Sequence, residues 1–171
     1  MQNIQWDHSQ HRLAQRGFPL CYLAHDIDAP MNVGSLFRIA DALGVEMIYL
    51  TGRSAIPPNS KLRRTSRAAE KYVRFSHATD PIPVLRELKA SGYRIISLEL
   101  TSASIDIRQF EVQASDRICL VLGSENAGVS QALLDASEQT VHIPMLGRNS
   151  SMNVATACAI ATFEISRALC P

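Results

Sequence analysis

Apolar runs rich in β-branched and aromatic residues alternate along the chain with stretches whose apolar positions recur every three to four residues. The runs at 20–25, 45–50, 72–76, 94–100, 117–122 and 141–144 predict six strands. Between the first two, Val33, Leu36, Phe37, Ala40 and Leu43 share one face of a helix that stops at Gly44, a residue suited to a C-terminal cap. A second helix is predicted over 83–90, closed by Gly92, and a short third one over 131–136. The last spans 153–169, where Val154, Ala157, Cys158, Ala161 and Ile165 form an apolar stripe. Strands alternating with helices imply an α/β fold, a mostly parallel sheet with helices on both faces. In such sheets ligands bind beyond the carboxyl ends of the strands. That rule directs attention to three loops, 26–34, 123–128 and 145–153, all rich in Gly, Asn and Ser.

Composition narrows the class. The chain has 171 residues, the size of one domain, and 46% hydrophobic against 19% charged residues supports a sizeable core. Repeats and linkers are absent. No apolar run approaches the ~18–20 residues of a membrane-spanning helix, and the first twenty residues lack the apolar stretch of a signal peptide. Cys21, Cys119, Cys158 and Cys170 are scattered, without ligand spacing, and three of them sit in apolar runs. A reducing, cytoplasmic compartment is expected. His8 and His11 share a helical spacing while His25, His77 and His142 stand alone, so no metal site is expected.

Net charge becomes informative only when divided along the chain. Overall it is 17 minus 16, or +1. Between Arg53 and Arg74, seven cations (Arg53, Lys61, Arg63, Arg64, Arg67, Lys71, Arg74) face one acid, Glu70. The segment therefore carries +6 and the remainder −5. A cationic patch on a near-neutral body suits a polyanion, and it equally suits a solvated, Arg-rich loop.

The loops offer no familiar phosphate cradle. G-x-G-x-x-G is missing, and Gly123-Ser-Glu-Asn-Ala-Gly128 lacks the Lys-Ser/Thr ending of a P-loop, which disfavours dinucleotide and NTP enzymes. Asn32 opens the first helix, where an N-cap role is the simple reading, and Arg38 follows nearly two turns on. Glu125 lies between two glycines just after the apolar run Ile118-Cys-Leu-Val-Leu-Gly123, where it would cap the next helix. Ser150, Ser151 and Asn153 precede the last helix, with either serine as its simplest cap. Singly, each residue reads as structural. Together they bring polar groups from three loops to one end of one sheet.

The stretch Asn32-Val-Gly-Ser-Leu-Phe-Arg38-Ile-Ala-Asp-Ala-Leu-Gly-Val resembles the first motif of the SpoU (TrmH) branch of the SPOUT RNA methyltransferases. Leu122-Gly-Ser-Glu-Asn-Ala-Gly-Val129 resembles the second motif, and Ile143-Pro-Met-Leu-Gly-Arg-Asn-Ser-Ser-Met-Asn-Val154 the third. All three occur in family order. The resemblance implies a SPOUT domain over 20–171 behind a short extension at 1–19, with a deep trefoil knot at the C-terminus despite the general rule against knots. It also implies a homodimer and a site for S-adenosyl-L-methionine. Carried over by motif, Asn32, Arg38, Glu125, Ser151 and Asn153 are the implied catalytic residues. Leu98, Leu122, Gly123, Gly128, Ile143, Met145 and Met152 are the implied cofactor-binding ones.

The implied reaction is methylation of a ribose 2′-hydroxyl in tRNA or rRNA, with Arg38 at a backbone phosphate. Arg63, Arg64, Arg67 and Lys71 are then candidates to hold the RNA backbone. Three departures stand out: Met152 where the family usually has Leu, Met31 where His is frequent, and a different reading at 148–150. Competing readings are a non-catalytic RNA-binding protein of the same fold, and a base-methylating SPOUT enzyme. A small-molecule nucleotide module is the third.

Overall fold

The computed structural model describes residues 3–5 and 17–169. His8, His11, Cys170 and most of residues 1–19, the span expected to form a short extension, lie outside the described residues. The elements run β1 (Phe18–His25), α1 (Pro30–Leu43), β2 (Val45–Thr51), α2 (Ser60–Ser66), β3 (Arg74–Ala78) and α3 (Pro81–Ala90). They continue with β4 (Tyr93–Leu98), β5 (Ile105–Asp106), β6 (Arg117–Leu122), α4 (Gln131–Ala136), β7 (Gln139–His142) and α5 (Val154–Leu169). The strands form one sheet in the order β3-β2-β1-β6-β4-β7-β5, and every pairing is parallel.

Alternation along β1 shows how the sequence builds two cores on this sheet. Leu20, Tyr22 and Ala24 join Val33, Leu36 and Phe37 of α1 and Cys158, Ala161 and Ile165 of α5 on one face. Cys21 and Leu23 join Leu85 and Leu88 of α3 and Leu133 of α4 on the other. Helices therefore cover both faces. The buried Tyr22 hydroxyl meets the Thr162 hydroxyl at 2.6 Å, which ties α5 to β1 and satisfies a phenol deep in the core.

Several boundaries differ from the sequence pattern. Ala29 stands at the N-cap position of α1 without a side-chain cap and Pro30 lies in the first turn, so Asn32 lies inside the helix and its side chain is free for other work. Gly44 ends α1 in the left-handed region, as expected. α2 arises inside the basic segment, where no helix was expected. It is seven residues long with only Leu62 and Ser66 buried, too short to give an apolar stripe. Its start is set by Asn59, whose side chain accepts from the Lys61 and Leu62 N–H groups at 3.0 and 3.2 Å. β3 begins at Arg74 rather than 72, β7 covers 139–142 rather than 141–144, and the two-residue β5 gave no signal at all.

α2 lies against α1 backbone to backbone. A Cβ on Gly34 would sit 2.0 Å from Thr65 Oγ1 and 2.4 Å from the Leu62 carbonyl oxygen, so only glycine fits there. α2 ends at Arg67 with φ 54°, and Ala68 follows at φ 75°. Two successive non-glycine residues in the left-handed region cost roughly 1–2 kcal/mol each.

Candidate active site

The loops after β1, β6 and β7 meet at the carboxyl end of the sheet. Asn153 immediately precedes α5, and its Oδ1 accepts from the N–H groups of Ala155 and Thr156 at 2.9 and 3.2 Å. It is therefore the cap of α5, in place of either serine. With Oδ1 committed, the Asn153 Nδ2 donates to Asn32 Oδ1 at 3.0 Å. The Asn32 Nδ2 in turn donates to Glu125 Oε1. One residue from each motif thus joins a directional chain of amides that starts at the α5 N-terminus and ends on a carboxylate. Glu125 caps no helix. Ser151 is exposed beside this chain, on the wall of the adjoining cavity.

That cavity, about 730 Å³, adjoins the chain of amides and opens between the segments that follow β4, β6 and β7. Leu98, Leu122, Gly123, Gly128, Ile143, Met145 and Met152 all line it, together with Glu125, Ser151 and Asn153. Its floor loop is closed on itself by Ser124 N–H to the Gly128 oxygen and Gly128 N–H to the Ser124 oxygen, at 3.2 and 2.9 Å. A Cβ on Gly123 would fall 2.1 Å from the Gly128 carbonyl carbon, so this turn requires glycine. The size, the mix of apolar walls and exposed backbone, and the polar chain at one edge suit a nucleoside-sized cofactor.

Glu99 is a site residue that the sequence pattern missed. Its Oε2 accepts from Val129 N–H at 2.9 Å and its Oε1 from Leu100 N–H at 2.9 Å, which fixes the floor loop against the end of β4. The apolar pattern of 94–100 runs past the end of β4 at Leu98, which hides a carboxylate standing just beyond the strand.

Arg38 is the implied catalytic residue that the structure does not bring to the chain of amides. It lies on exposed α1 surface six residues beyond Asn32, about 9 Å along the helix axis. It opens into a second cavity, of about 510 Å³, shared with Arg64 and Arg67. Arg63 and Lys71 are exposed and line neither cavity.

An all-parallel α/β sheet with helices on both faces, and a cavity at its carboxyl end, define an α/β protein with its ligand site where such sheets bind ligands. The chain belongs to the SpoU rRNA Methylase family, which it matches over residues 19–163. It is 29% identical over 158 residues to the tRNA (guanosine(18)-2′-O)-methyltransferase of Escherichia coli K12, covering 91% of this chain and 66% of that protein. The chain thus spans less than two thirds of the length of that curated relative. Among solved structures, a TrmH/SpoU tRNA modifying enzyme from A. aeolicus superposes with a TM-score of 0.80 at 26% identity, over 90% of this chain and 77% of that one. An AdoMet-bound rRNA methyltransferase from Sinorhizobium meliloti gives 0.83 at 26% identity, over 93% of this chain and 60% of that one.

Proposed function

We propose that this protein transfers a methyl group from S-adenosylmethionine to a ribose 2′-hydroxyl of tRNA or rRNA. The observation that carries the reading is the hydrogen-bonded chain Asn153–Asn32–Glu125 at the edge of a cofactor-sized cavity. The family relationship and the names of the relatives, a tRNA 2′-O-methyltransferase and an AdoMet-bound rRNA methyltransferase, support it.

Bound in the cavity, S-adenosylmethionine would supply an electrophilic methyl on a sulfonium. Backbone at Gly123, Ile143 and Met152 would hold it, with Leu98, Leu122, Gly128 and Met145 around it. The protein's part in an in-line displacement is chiefly alignment, an effect that reaches ~7–11 kcal/mol in favourable cases. Glu125 keeps acceptor capacity beyond the one bond to Asn32, so its carboxylate is suited to receive the hydrogen bond of a ribose hydroxyl. Asn32 and Asn153 fix that carboxylate, and Ser151 adds a hydroxyl on the same wall. Arg38 is suited to a backbone phosphate. Its guanidinium, with a pKa above ~12, is a poor proton acceptor.

A homodimer belongs to this proposal. Arg38 stands away from the polar chain of its own protomer, and α5 leaves Ile160 and Phe163 43% and 61% exposed. A second copy covering that face would supply its own Arg38 to the site. The trefoil knot belongs to it as well. β7 pairs between β4 and β5 although it follows β6, so the chain recrosses β4 twice late in the sequence, as threading requires. Buried free thiols at Cys21, Cys119 and Cys158, with an RNA substrate, favour the cytoplasm.

The test is labelled S-adenosylmethionine with total RNA from cells lacking the protein, alongside calorimetric binding of the cofactor. Label in RNA is the expected result. Neither label nor cofactor binding would favour the non-catalytic RNA-binding reading.

A further inference from the structure

The basic segment 53–74 has paired ends and an unpaired centre. Arg53 reaches Asp26 and Asp28 at 3.8 and 3.6 Å, and Arg74 meets Glu46 at 2.9 Å. Glu70, the segment's one acid, is engaged by the Ser66 hydroxyl, which lowers its pKa. Among the described residues no carboxylate lies within ion-pair distance of Lys61, Arg63, Arg64, Arg67 or Lys71. Of these five, only Arg64 and Arg67 open into the cavity that also holds Arg38. The remaining lining is two hydroxyls, Ser35 and Thr65, and aliphatic surface, with no acid. Three guanidiniums around one cavity repel one another unless an anion lies between them.

The backbone is shaped to keep them there. Arg67 and Ala68 hold the left-handed conformation without glycine, at φ 54° and 75°. Such unfavourable backbone persists where the surroundings fix it, and it gathers at ligand clamps. Here the fixing contacts are Arg67 N–H to the Arg63 oxygen and Thr65 Oγ1 to the Met31 oxygen, at 3.3 and 3.1 Å, the second of which joins α2 to α1.

We propose that Arg64 and Arg67 form, with Arg38, a phosphodiester-binding cleft between α1 and α2 in which Arg64 and Arg67 share one phosphate of the substrate RNA strand. This rests on the RNA methyltransferase reading and names two residues that position the strand. A planar guanidinium fork suits a phosphate better than a lysine does, and two forks on one phosphate fix the strand's register. Lys61, Arg63 and Lys71 contribute only to the surrounding field.

The experiment is filter binding of unfractionated tRNA and, separately, of rRNA over a KCl series, with calorimetric S-adenosylmethionine binding as a check on the fold. The variants are R64Q, R67G, their double, and K61Q. Glycine is the favoured residue at φ 54°, so R67G removes the guanidinium without a folding penalty. Expected are about tenfold weaker binding of the RNA that the wild type binds and a salt slope lower by about one for R64Q and R67G. The double variant should weaken binding by less than the product of the singles, since both act on one phosphate, and K61Q should change little. Cofactor binding stays at the wild-type level throughout. If R64Q and R67G weaken binding no more than K61Q, or if the losses multiply, the shared phosphate is wrong while the methyltransferase reading stands. Wild-type protein that binds neither tRNA nor rRNA overturns both.

Discussion

Asn153 and Asn32, 121 residues apart in sequence, are joined by a 3.0 Å hydrogen bond whose direction is fixed at both ends. Asn153 cannot turn its amide over, because its oxygen caps α5. Asn32 cannot either, because its nitrogen faces the Glu125 carboxylate. Asn153→Asp therefore separates two roles. Asp is as good a cap as Asn, so the melting temperature should hold, while an acceptor now faces the Asn32 oxygen. Methyl transfer should fall at least about tenfold, the loss of one well-placed hydrogen bond of ~1.4 kcal/mol. Asn153→Ala should lose both, with about 1 kcal/mol of stability gone, some 2–4 °C for a chain of this size. Equal activity of wild type and N153D would remove the polar chain from the mechanism.

Gly123→Ala probes the cavity floor. The added methyl would lie 2.1–2.3 Å from the backbone of Gly128 and Val129, which cannot move without breaking the Ser124–Gly128 bridge and the Glu99 bond. S-adenosylmethionine affinity should drop by roughly tenfold or more, about 1.4 kcal/mol or above, measured by calorimetry, with the far-ultraviolet spectrum unchanged. Unchanged affinity would mean that the floor loop does not touch the cofactor.

Stability should fall on the alkaline side. Burial pushes the Cys158 thiol from 9.0 up to about 12, and raises Tyr22 and Cys119 well above their ordinary values. A folded-state pKa above the unfolded one favours the neutral form. Its contribution is complete below about pH 9 and is lost as pH rises toward 12. The urea midpoint should therefore be lower at pH 10 than at pH 7. A midpoint that rises with pH would contradict the buried, neutral state of these groups.

A site shared between protomers predicts complementation. Arg38→Ala and Glu125→Ala should each be nearly inactive, and unfolding and refolding them together should restore part of the activity through mixed dimers carrying one intact site. No recovery, with dimers shown by sedimentation, would place both residues in one chain's site.

Much of this was legible in the sequence because period and punctuation agreed. α1 reads from its apolar face and Gly44, and 117–122 and 131–136 match β6 and α4 to the residue. The polar chain was half legible: the loops named Asn32, Glu125 and Asn153, while single-residue reasoning made Asn32 a cap and overlooked Asn153 as one. Pro30 explains the first, since it starts α1 two residues earlier than the apolar pattern does. α2 stayed hidden because its order comes from the Asn59 cap and from packing at Gly34, not from periodicity. For the same reason the grouping of Arg64 and Arg67 with Arg38 was invisible: it depends on how two helices meet.

The most direct test of the central claim is where the methyl group goes. RNA labelled by the protein would be digested to nucleosides and separated by mass. This account predicts label confined to a 2′-O-methylated nucleoside, absent when Glu125 or Asn32 is replaced by Ala. Label on a base would contradict it and make the protein a base methyltransferase on the same fold.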